Sequence, residues 1–117
     1  MQTTTIGRSG EDLARAYLER KGMRFLQKNY KRRHGEVDLI MEDGKWLVFV
    51  EVKTRRSLAY GMPAESVTPY KQKHIRYCAD IYFAEHRIES RPTRFDIIEI
   101  LALPGRSVKI HHMRDAF

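Results

Sequence analysis

Hydrophobic residues recur at helical spacing in the first part of the chain and at strand spacing after it. Ser9 can cap the first helix and Gly22 can end it, so we predict a helix over residues 9–21. A strand over about residues 24–30 follows it. The apolar face of the helix consists of Ile6, Leu13, Ala14, Tyr17 and Leu18.

The central stretch, residues 35–55, alternates apolar and polar positions around an Asp-Gly pair and predicts a β-hairpin. A polar loop with Gly61 and Pro63 separates it from a second helix over about residues 69–86. Thr68 is a suitable N-cap for that helix, because its hydroxyl can accept a hydrogen bond from a backbone N–H of the first turn. The buried stripe of the second helix consists of Ile75, Cys78, Ala79 and Tyr82.

Two more strands complete the pattern. The stretch FDIIEILAL is apolar on both faces and predicts an interior strand, and SVKIHHM predicts a short last strand. The resulting order is α-β-β-β-α-β-β. We therefore expect an α/β or α+β fold, with helices packed on a mixed β-sheet, and one domain over residues 1–117.

The hairpin register decides where the charges of the central stretch lie. With Asp43 and Gly44 as a two-residue loop, Asp38 lies diagonal to Glu51, at about 7–8 Å between backbones. One face of the hairpin then carries Glu36, Asp38, Glu51 and Lys53. The other face carries Val37, Leu39, Met41, Trp46, Val48, Val50 and Val52.

Two carboxylates at this distance repel each other, and a divalent cation removes the conflict. Mg²⁺ takes one or two carboxylates together with substrate phosphate and water. Asp38 and Glu51 would supply the carboxylates and the Val52 carbonyl a third ligand, while Lys53 would position or help to deprotonate an attacking water. The alternative is an ion-pair cluster in which Lys53 neutralises Glu51 and Asp38 is solvated.

Charge balance favours a polyanionic partner. The chain has 22 basic and 15 acidic residues and a net charge of +7, which points to nucleic acid first and an anionic membrane surface second. Basic residues flank the acidic centre on both sides, an arrangement that suits a phosphate chain laid across a cation site. The flanking residues are Lys28, Lys31, Arg32, Arg33 and His34 on one side and Lys53, Arg55 and Arg56 on the other.

Other features exclude several classes of protein. No apolar run approaches the length of a membrane span. The first ten residues lack the pattern of a signal peptide, and Cys78 has no second cysteine to pair with, so we expect a reducing cytoplasm. Cys78 falls in the predicted core. The five histidines show no metal-binding spacing, which argues against zinc.

Four stretches carry a family resemblance: GRSGEDLARAYLERKG, NYKRRHGEVDLIMEDG, WLVFVEVKTR and VTPYKQK. Together they resemble the bacterial YraN family of endonuclease-like proteins, from about Ile6 to the strand that contains Asp96. That family is similar to archaeal Holliday junction resolvases and belongs to the PD-(D/E)xK superfamily. The resemblance implies a restriction-endonuclease-like fold, with which the predicted element order agrees.

The resemblance also assigns roles to single residues. Asp38 matches the metal-binding aspartate of the motif, and Glu51 and Lys53 match its E-x-K. Glu11 matches an acid of the first helix that completes the metal site in related resolvases, although an acid in a first turn also suits the helix dipole without catalysis. Lys71 matches a basic position at the start of the second helix, where it would contact phosphate or remain solvated.

We therefore expect a Mg²⁺- or Mn²⁺-dependent endonuclease that hydrolyses phosphodiester bonds in DNA, with branched or recombining DNA as a candidate substrate. The rivals are a non-catalytic nucleic-acid-binding module and an interaction subunit of a DNA-processing complex. Related resolvases act as dimers, so a homodimer is a further expectation. Val37 departs from the motif, which has proline there. The residues expected to bind nucleic acid are Lys31, Arg32, Arg33, Arg55, Arg56, Lys71 and Lys73.

Overall fold

Two helices pack on a mixed five-stranded sheet, one on each face. A computed structural model describes residues 9–57 and 67–117, so the predicted positions of Ile6, Gly61 and Pro63 lie outside the described residues. In chain order the elements are α1 (Gly10–Arg20), β1 (Arg24–Arg32), β2 (Gly35–Asp43), β3 (Trp46–Arg55), α2 (Pro69–Glu85), β4 (Thr93–Leu101) and β5 (Lys109–Met113). The predicted order and the mixed sheet are confirmed.

The strands lie side by side in chain order, β1-β2-β3-β4-β5. Neighbouring strands are antiparallel except β3 and β4, which are parallel and are connected through α2. Strand β4 is buried between two neighbours, as its apolar pattern predicted. Neither helix within the described ranges has the length and hydropathy needed to cross a bilayer.

Both predicted N-caps are present. The Ser9 hydroxyl accepts a hydrogen bond from the Asp12 N–H at 3.1 Å, and the Thr68 hydroxyl accepts one from the Lys71 N–H at 3.3 Å. Each cap satisfies a backbone donor of the first turn that has no partner within the helix. The start of α2, which borders the site described below, is therefore fixed by a local hydrogen bond.

The sheet separates two hydrophobic clusters. The cluster under α1 consists of Ala14, Leu18, Met23, Leu39, Met41, Val48, Val50, Val52, Ile98 and Ile100. The cluster under α2 consists of Tyr30, Val37, Ile40, Leu47, Phe49, Val67, Ile75, Cys78, Ala79, Tyr82, Phe95 and Ile97. The stripe predicted for the second helix is buried, and Cys78 is a core residue as predicted.

The turn of the β2–β3 hairpin lies one residue later than predicted. The loop residues are Gly44 and Lys45, and Asp43 pairs with Trp46 instead of belonging to the loop. Gly44 has φ 59, which suits glycine in the first position of a two-residue hairpin loop. The Asp43 carboxylate accepts a hydrogen bond from Arg94 Nη1 at 3.1 Å, which holds it in the strand. The partner of each β2 residue therefore shifts by two positions along β3.

A buried polar network, which the apolar pattern of β4 concealed, joins β4 to β5. The Asp96 carboxylate is fully buried and accepts hydrogen bonds from Arg94 Nε at 2.9 Å and Nη2 at 3.0 Å. It also lies 2.7 Å from His112 Nε2 and accepts from the Asp115 N–H at 3.0 Å. Burial alone would raise the pKa of Asp96, but these hydrogen bonds outweigh it and hold the pKa below its usual range.

Replacing Asp96 with alanine should destabilise the fold strongly, because it leaves the buried Arg94 guanidinium without its main partner. We expect Asp96→Ala to lower the free energy of unfolding by about 3–5 kcal/mol. Urea denaturation followed by circular dichroism would measure it. Asp80→Ala, at an exposed position of α2, should change stability by less than about 0.5 kcal/mol. Equal effects of the two changes would contradict the structural role given to Asp96.

Candidate functional site

Strand β2 separates from β3 at Asp38. The last backbone pair of this ladder is Leu39 with Val50. Beyond this pair, the Val52 N–H donates a hydrogen bond to the Asp38 carboxylate at 2.7 Å instead of to a backbone carbonyl. Extending the observed register places Asp38 directly across from Glu51. The two carboxylates are therefore closer than the diagonal arrangement predicted from the Asp-Gly turn.

A reversal of the strand alternation accompanies this separation. Asn29 has φ 50, and the pair it would form with Asp38 is missing between the pairs Lys28–Leu39 and Tyr30–Val37. A positive φ in a strand disturbs the regular alternation of side chains. Lys28 contacts α1, whereas Tyr30 and Val37 pack under α2. The prediction that Val37 lies on the valine face was therefore wrong.

The gap between the strands opens into a cavity of about 430 Å³ beside the first turns of α2. Gly35 permits the close approach of β2 to this helix, because a Cβ there would lie 3.0 Å from the His74 carbonyl oxygen and 3.1 Å from the Cys78 sulfur. The cavity is lined by His34, Gly35, Glu36, Asp38, Glu51, Val52, Lys53, Tyr70, Lys71, His74 and Ile75. Asp38, Glu51 and Lys53 thus share one site, as the hairpin argument predicted.

The Asp38 carboxyl group is half-buried beside Glu51, and its pKa is strongly raised. Burial, followed by the neighbouring Glu51, raises the pKa of Asp38 from 3.8 to about 8. The Val52 N–H and Lys53 act in the opposite direction but do not compensate. Lys53 Nζ lies 3.7 Å from Glu51 Oε2. Near neutral pH, the raised pKa therefore favours the protonated form of Asp38.

Two amines face the two carboxylates. Lys71, in the first turn of α2, lies beside Lys53, and this neighbour, by hydrogen bonding and by charge repulsion, lowers the pKa of Lys71. Glu51 and Asp38 act against that shift. The cavity thus places two carboxyl groups beside two amines. Such an arrangement can hold a divalent cation on the carboxylates next to a phosphate on the amines.

The residues present fit Mg²⁺ or Mn²⁺ and do not fit zinc. Asp38 and Glu51 would supply two carboxylate oxygens, and the Val52 carbonyl lies on the same side of β3 as the N–H that reaches Asp38. Two carboxylates suffice for Mg²⁺, which keeps several waters. Residues 9–57 and 67–117 contain no group of three His, Cys, Asp or Glu side chains that could hold a metal, so a protein-only zinc site is not formed there.

Comparison with known proteins gives the family. The model of the uncharacterised protein family UPF0102 matches residues 10–100. The chain belongs to UPF0102. It is 49% identical over 112 residues to a UPF0102 protein of Rhodococcus opacus, covering 96% of this chain and 95% of that one. It is 46% identical to the Geobacter sulfurreducens UPF0102 protein GSU0650, covering 96% and 88%, and 41% identical to one of Alkaliphilus metalliredigens, covering 97% of each.

Glu11 does not line the cavity of this UPF0102 chain. Helix α1 packs on the opposite face of the sheet, where a Cβ on Gly10 would lie 2.5 Å from the Thr54 hydroxyl oxygen. Glu11 is half-buried in the first turn of that helix. The described geometry therefore gives no support to Glu11 as a metal ligand, and its position suits the positive end of the helix dipole.

The basic residues expected to bind nucleic acid fall into two groups. Arg32 is held by Glu85 through hydrogen bonds of 2.9 and 2.8 Å, and Arg55 pairs with the buried Glu99 at 3.1 Å. These two guanidinium groups are engaged within the fold. Lys71 lines the cavity, whereas Lys73 lines a separate surface groove on α2. The remaining residues of the set, Lys31, Arg33 and Arg56, are exposed.

Two aromatic residues of the site, Tyr70 and His74, and one backbone irregularity were missed from the sequence, whereas His34 was recognised only as a residue that flanks the acidic centre. His34, Tyr70 and His74 line the cavity, and Asn29 carries the positive φ opposite Asp38. Tyr70 and His74 are four residues apart on the predicted helix, so their shared face could have been recognised. Asn29 gave only a weak signal, because asparagine tolerates a left-handed backbone without requiring it.

The raised pKa of Asp38 predicts a pH-dependent stability in metal-free protein. The folded chain holds a proton that the unfolded chain releases, so the free energy of unfolding should fall as the pH rises from 3.8 towards about 8. Asp38→Asn cannot lose this proton. It should match wild type near pH 4 and exceed it above pH 8 by several kcal/mol, because a difference of one in pKa corresponds to about 1.4 kcal/mol.

Thermal denaturation in a chelator between pH 4 and 9 would measure this difference. Glu36→Gln, which changes an exposed carboxylate at the mouth of the same cavity, serves as the matched control and should show no such divergence. A wild-type stability that rises with pH relative to Asp38→Asn would contradict the proposed protonation of Asp38.

Proposed function

We propose that this UPF0102 protein is a Mg²⁺- or Mn²⁺-dependent nuclease that hydrolyses phosphodiester bonds in DNA. The observation that carries the proposal is the meeting of Asp38, Glu51 and Lys53 in one open cavity. Two close carboxylates, of which one stays protonated without metal, form a ligand pair for a divalent cation. The alternative, an ion-pair cluster on an exposed face, would leave Asp38 solvated, whereas Asp38 is half-buried and its pKa is raised by burial.

Each side chain has a distinct task in this proposal. Asp38 and Glu51, with the Val52 carbonyl, would hold the cation. When bound, the cation would activate a water and offset the charge that develops on the phosphate. Lys53, whose Nζ lies 3.7 Å from Glu51 Oε2, would orient the attacking water towards phosphorus. The Val52 N–H fixes one oxygen, Oδ2, of the Asp38 carboxylate.

The start of α2 would bind the phosphate. Lys71 lies in the cavity, and the N-terminus of a helix favours anions through its free N–H groups and its dipole. The β1–β2 turn adds the exposed cation Arg33, which directly precedes the cavity-lining residue His34. A nucleic-acid backbone that crosses these groups would pass over the carboxylates, and the net charge of +7 favours its approach.

The resemblance to PD-(D/E)xK nucleases supports the same assignment. Asp38, Glu51 and Lys53 stand at the positions of that motif, and the proline of the motif is replaced by Val37, which packs in the core under α2. Val37 does not enter the metal set, so the departure leaves the proposed ligands intact. Branched or recombining DNA is the substrate class that the related resolvases suggest.

A cleavage assay with Mg²⁺ and Mn²⁺ tests the proposed nuclease activity. Single-stranded, duplex and four-way-junction DNA should be incubated with the purified chain. Asp38→Asn, Glu51→Gln and Lys53→Ala should each lose at least about 100-fold in rate, because each removes either a proposed metal ligand or the group that orients the attacking water. Glu36→Gln, at the cavity mouth, should retain most of the activity.

Two results would overturn this assignment. Cleavage that survives both carboxylate substitutions would come from a contaminant or from another site. No cleavage of any substrate by wild type, combined with salt-sensitive DNA binding, would make the protein a non-catalytic nucleic-acid-binding module.

The position of the phosphate path predicts the salt dependence of DNA binding. Arg33→Ala should reduce the slope of log affinity against log salt concentration by about 0.7–0.9, the value for one phosphate contact. Fluorescence anisotropy at several salt concentrations would measure the slope. Lys109→Ala, an exposed lysine of β5, should leave it unchanged. An equal reduction of the slope by Lys109→Ala would show that DNA binding depends on net charge alone, and it would contradict the proposed phosphate path.

A further inference from the structure

An aromatic stripe borders the cavity and is not used by the proposed hydrolysis. We define it as Tyr70, His74 and Tyr77 of α2, together with His34 of the β1–β2 turn. The three helical residues are spaced by four and three positions and therefore share one side of α2. The Tyr70 and His74 ring centroids are 4.3 Å apart, and those of His34 and Tyr77 are 5.6 Å apart.

The tyrosines of the stripe are unusually accessible. Tyr70 is 72% exposed and Tyr77 is 38% exposed. Within residues 9–57 and 67–117, only Val108 is a further large apolar side chain with comparable exposure. The core under α2 is built from other positions of the helix, so packing within the described fold does not account for these two rings. Their apolar faces are available to a ligand.

The stripe and the candidate metal ligands belong to one surface. Tyr70, His74 and His34 line the cavity that holds Asp38 and Glu51. The exposed cation Arg33 directly precedes His34 along the chain, and Lys71 lines the cavity. Exposed aromatic rings beside a basic path are the combination with which proteins bind single-stranded nucleic acid, because each unpaired base has a face that can stack. Bases inside a continuous duplex already stack on each other and do not offer that face.

We propose that the aromatic stripe stacks unpaired bases beside the phosphate in the cavity, so that the protein selects DNA with a single-stranded stretch over continuous duplex. This inference rests on the proposed function for the identity of the cavity's ligand, but the stacking does not require cleavage. Tyr70 is the principal stacking residue, since it is the most exposed ring and lines the cavity. His74 supports it edge-on.

Binding of 2-aminopurine-labelled DNA to the full chain tests the stacking. The Asp38→Asn background prevents cleavage, and an oligonucleotide is compared with the same sequence in duplex form. Single-stranded DNA should bind more tightly and should show quenched 2-aminopurine fluorescence. Tyr70→Ala should weaken single-strand binding by about tenfold and relieve the quenching, with less than about twofold effect on duplex binding. Tyr70→Phe, which keeps the ring, should stay within about twofold of the parent.

The opposite results separate this inference from the proposed nuclease. Equal losses for single strand and duplex, no loss with Tyr70→Ala, or the same loss with Tyr70→Phe would overturn the stacking. Equal cleavage of single-stranded and duplex DNA by wild type and by Tyr70→Ala would support the nuclease proposal and contradict the stacking proposal. If Tyr70→Ala weakens single-strand binding and Tyr70→Phe does not, while wild type cuts no substrate, the stacking proposal would stand and the nuclease proposal would fail.

Discussion

The hydrogen bond from the Val52 N–H to the Asp38 carboxylate is the contact on which the site depends. Where β2 leaves β3, a backbone donor loses its partner, and an unpaired buried donor is costly. The Asp38 side chain replaces the missing carbonyl and lets the sheet open without that cost. The same bond fixes a carboxylate at the mouth of the gap, across from Glu51. The positive φ of Asn29 on the neighbouring strand accompanies this departure.

The opening of the sheet crowds groups of like charge, and this repulsion favours the ligands that the proposed function requires. Burial next to Glu51 raises the pKa of Asp38, and crowding by Lys53 lowers the pKa of Lys71. Each of these groups would be more stable with a ligand of opposite charge. A divalent cation on the carboxylates and a phosphate near the amines would satisfy both pairs at once. Helix α2 provides the wall of the cavity, the second amine and the aromatic rings.

Much of this arrangement could be predicted from sequence where local rules decide it. Capping residues and apolar spacing located both helices, and strand alternation brought Asp38, Glu51 and Lys53 to one cavity. The prediction failed where a distant contact competed with a local rule. Arg94 holds Asp43 in the strand and displaces the turn, and Asn29 reverses the alternation that would have put Val37 on the valine face. The partners of Arg32 and Arg55, on α2 and β4, were equally distant in sequence.

A calorimetric titration with Mn²⁺ near pH 7, in two buffers of different ionisation enthalpy, tests the shared cation site most directly. We expect one ion to bind per chain with release of a proton from Asp38, because the metal must displace that proton. Glu51→Gln should abolish this binding, and Glu11→Gln should preserve it. Binding without proton release, or binding unaffected by Glu51→Gln, would contradict a cation held between Asp38 and Glu51.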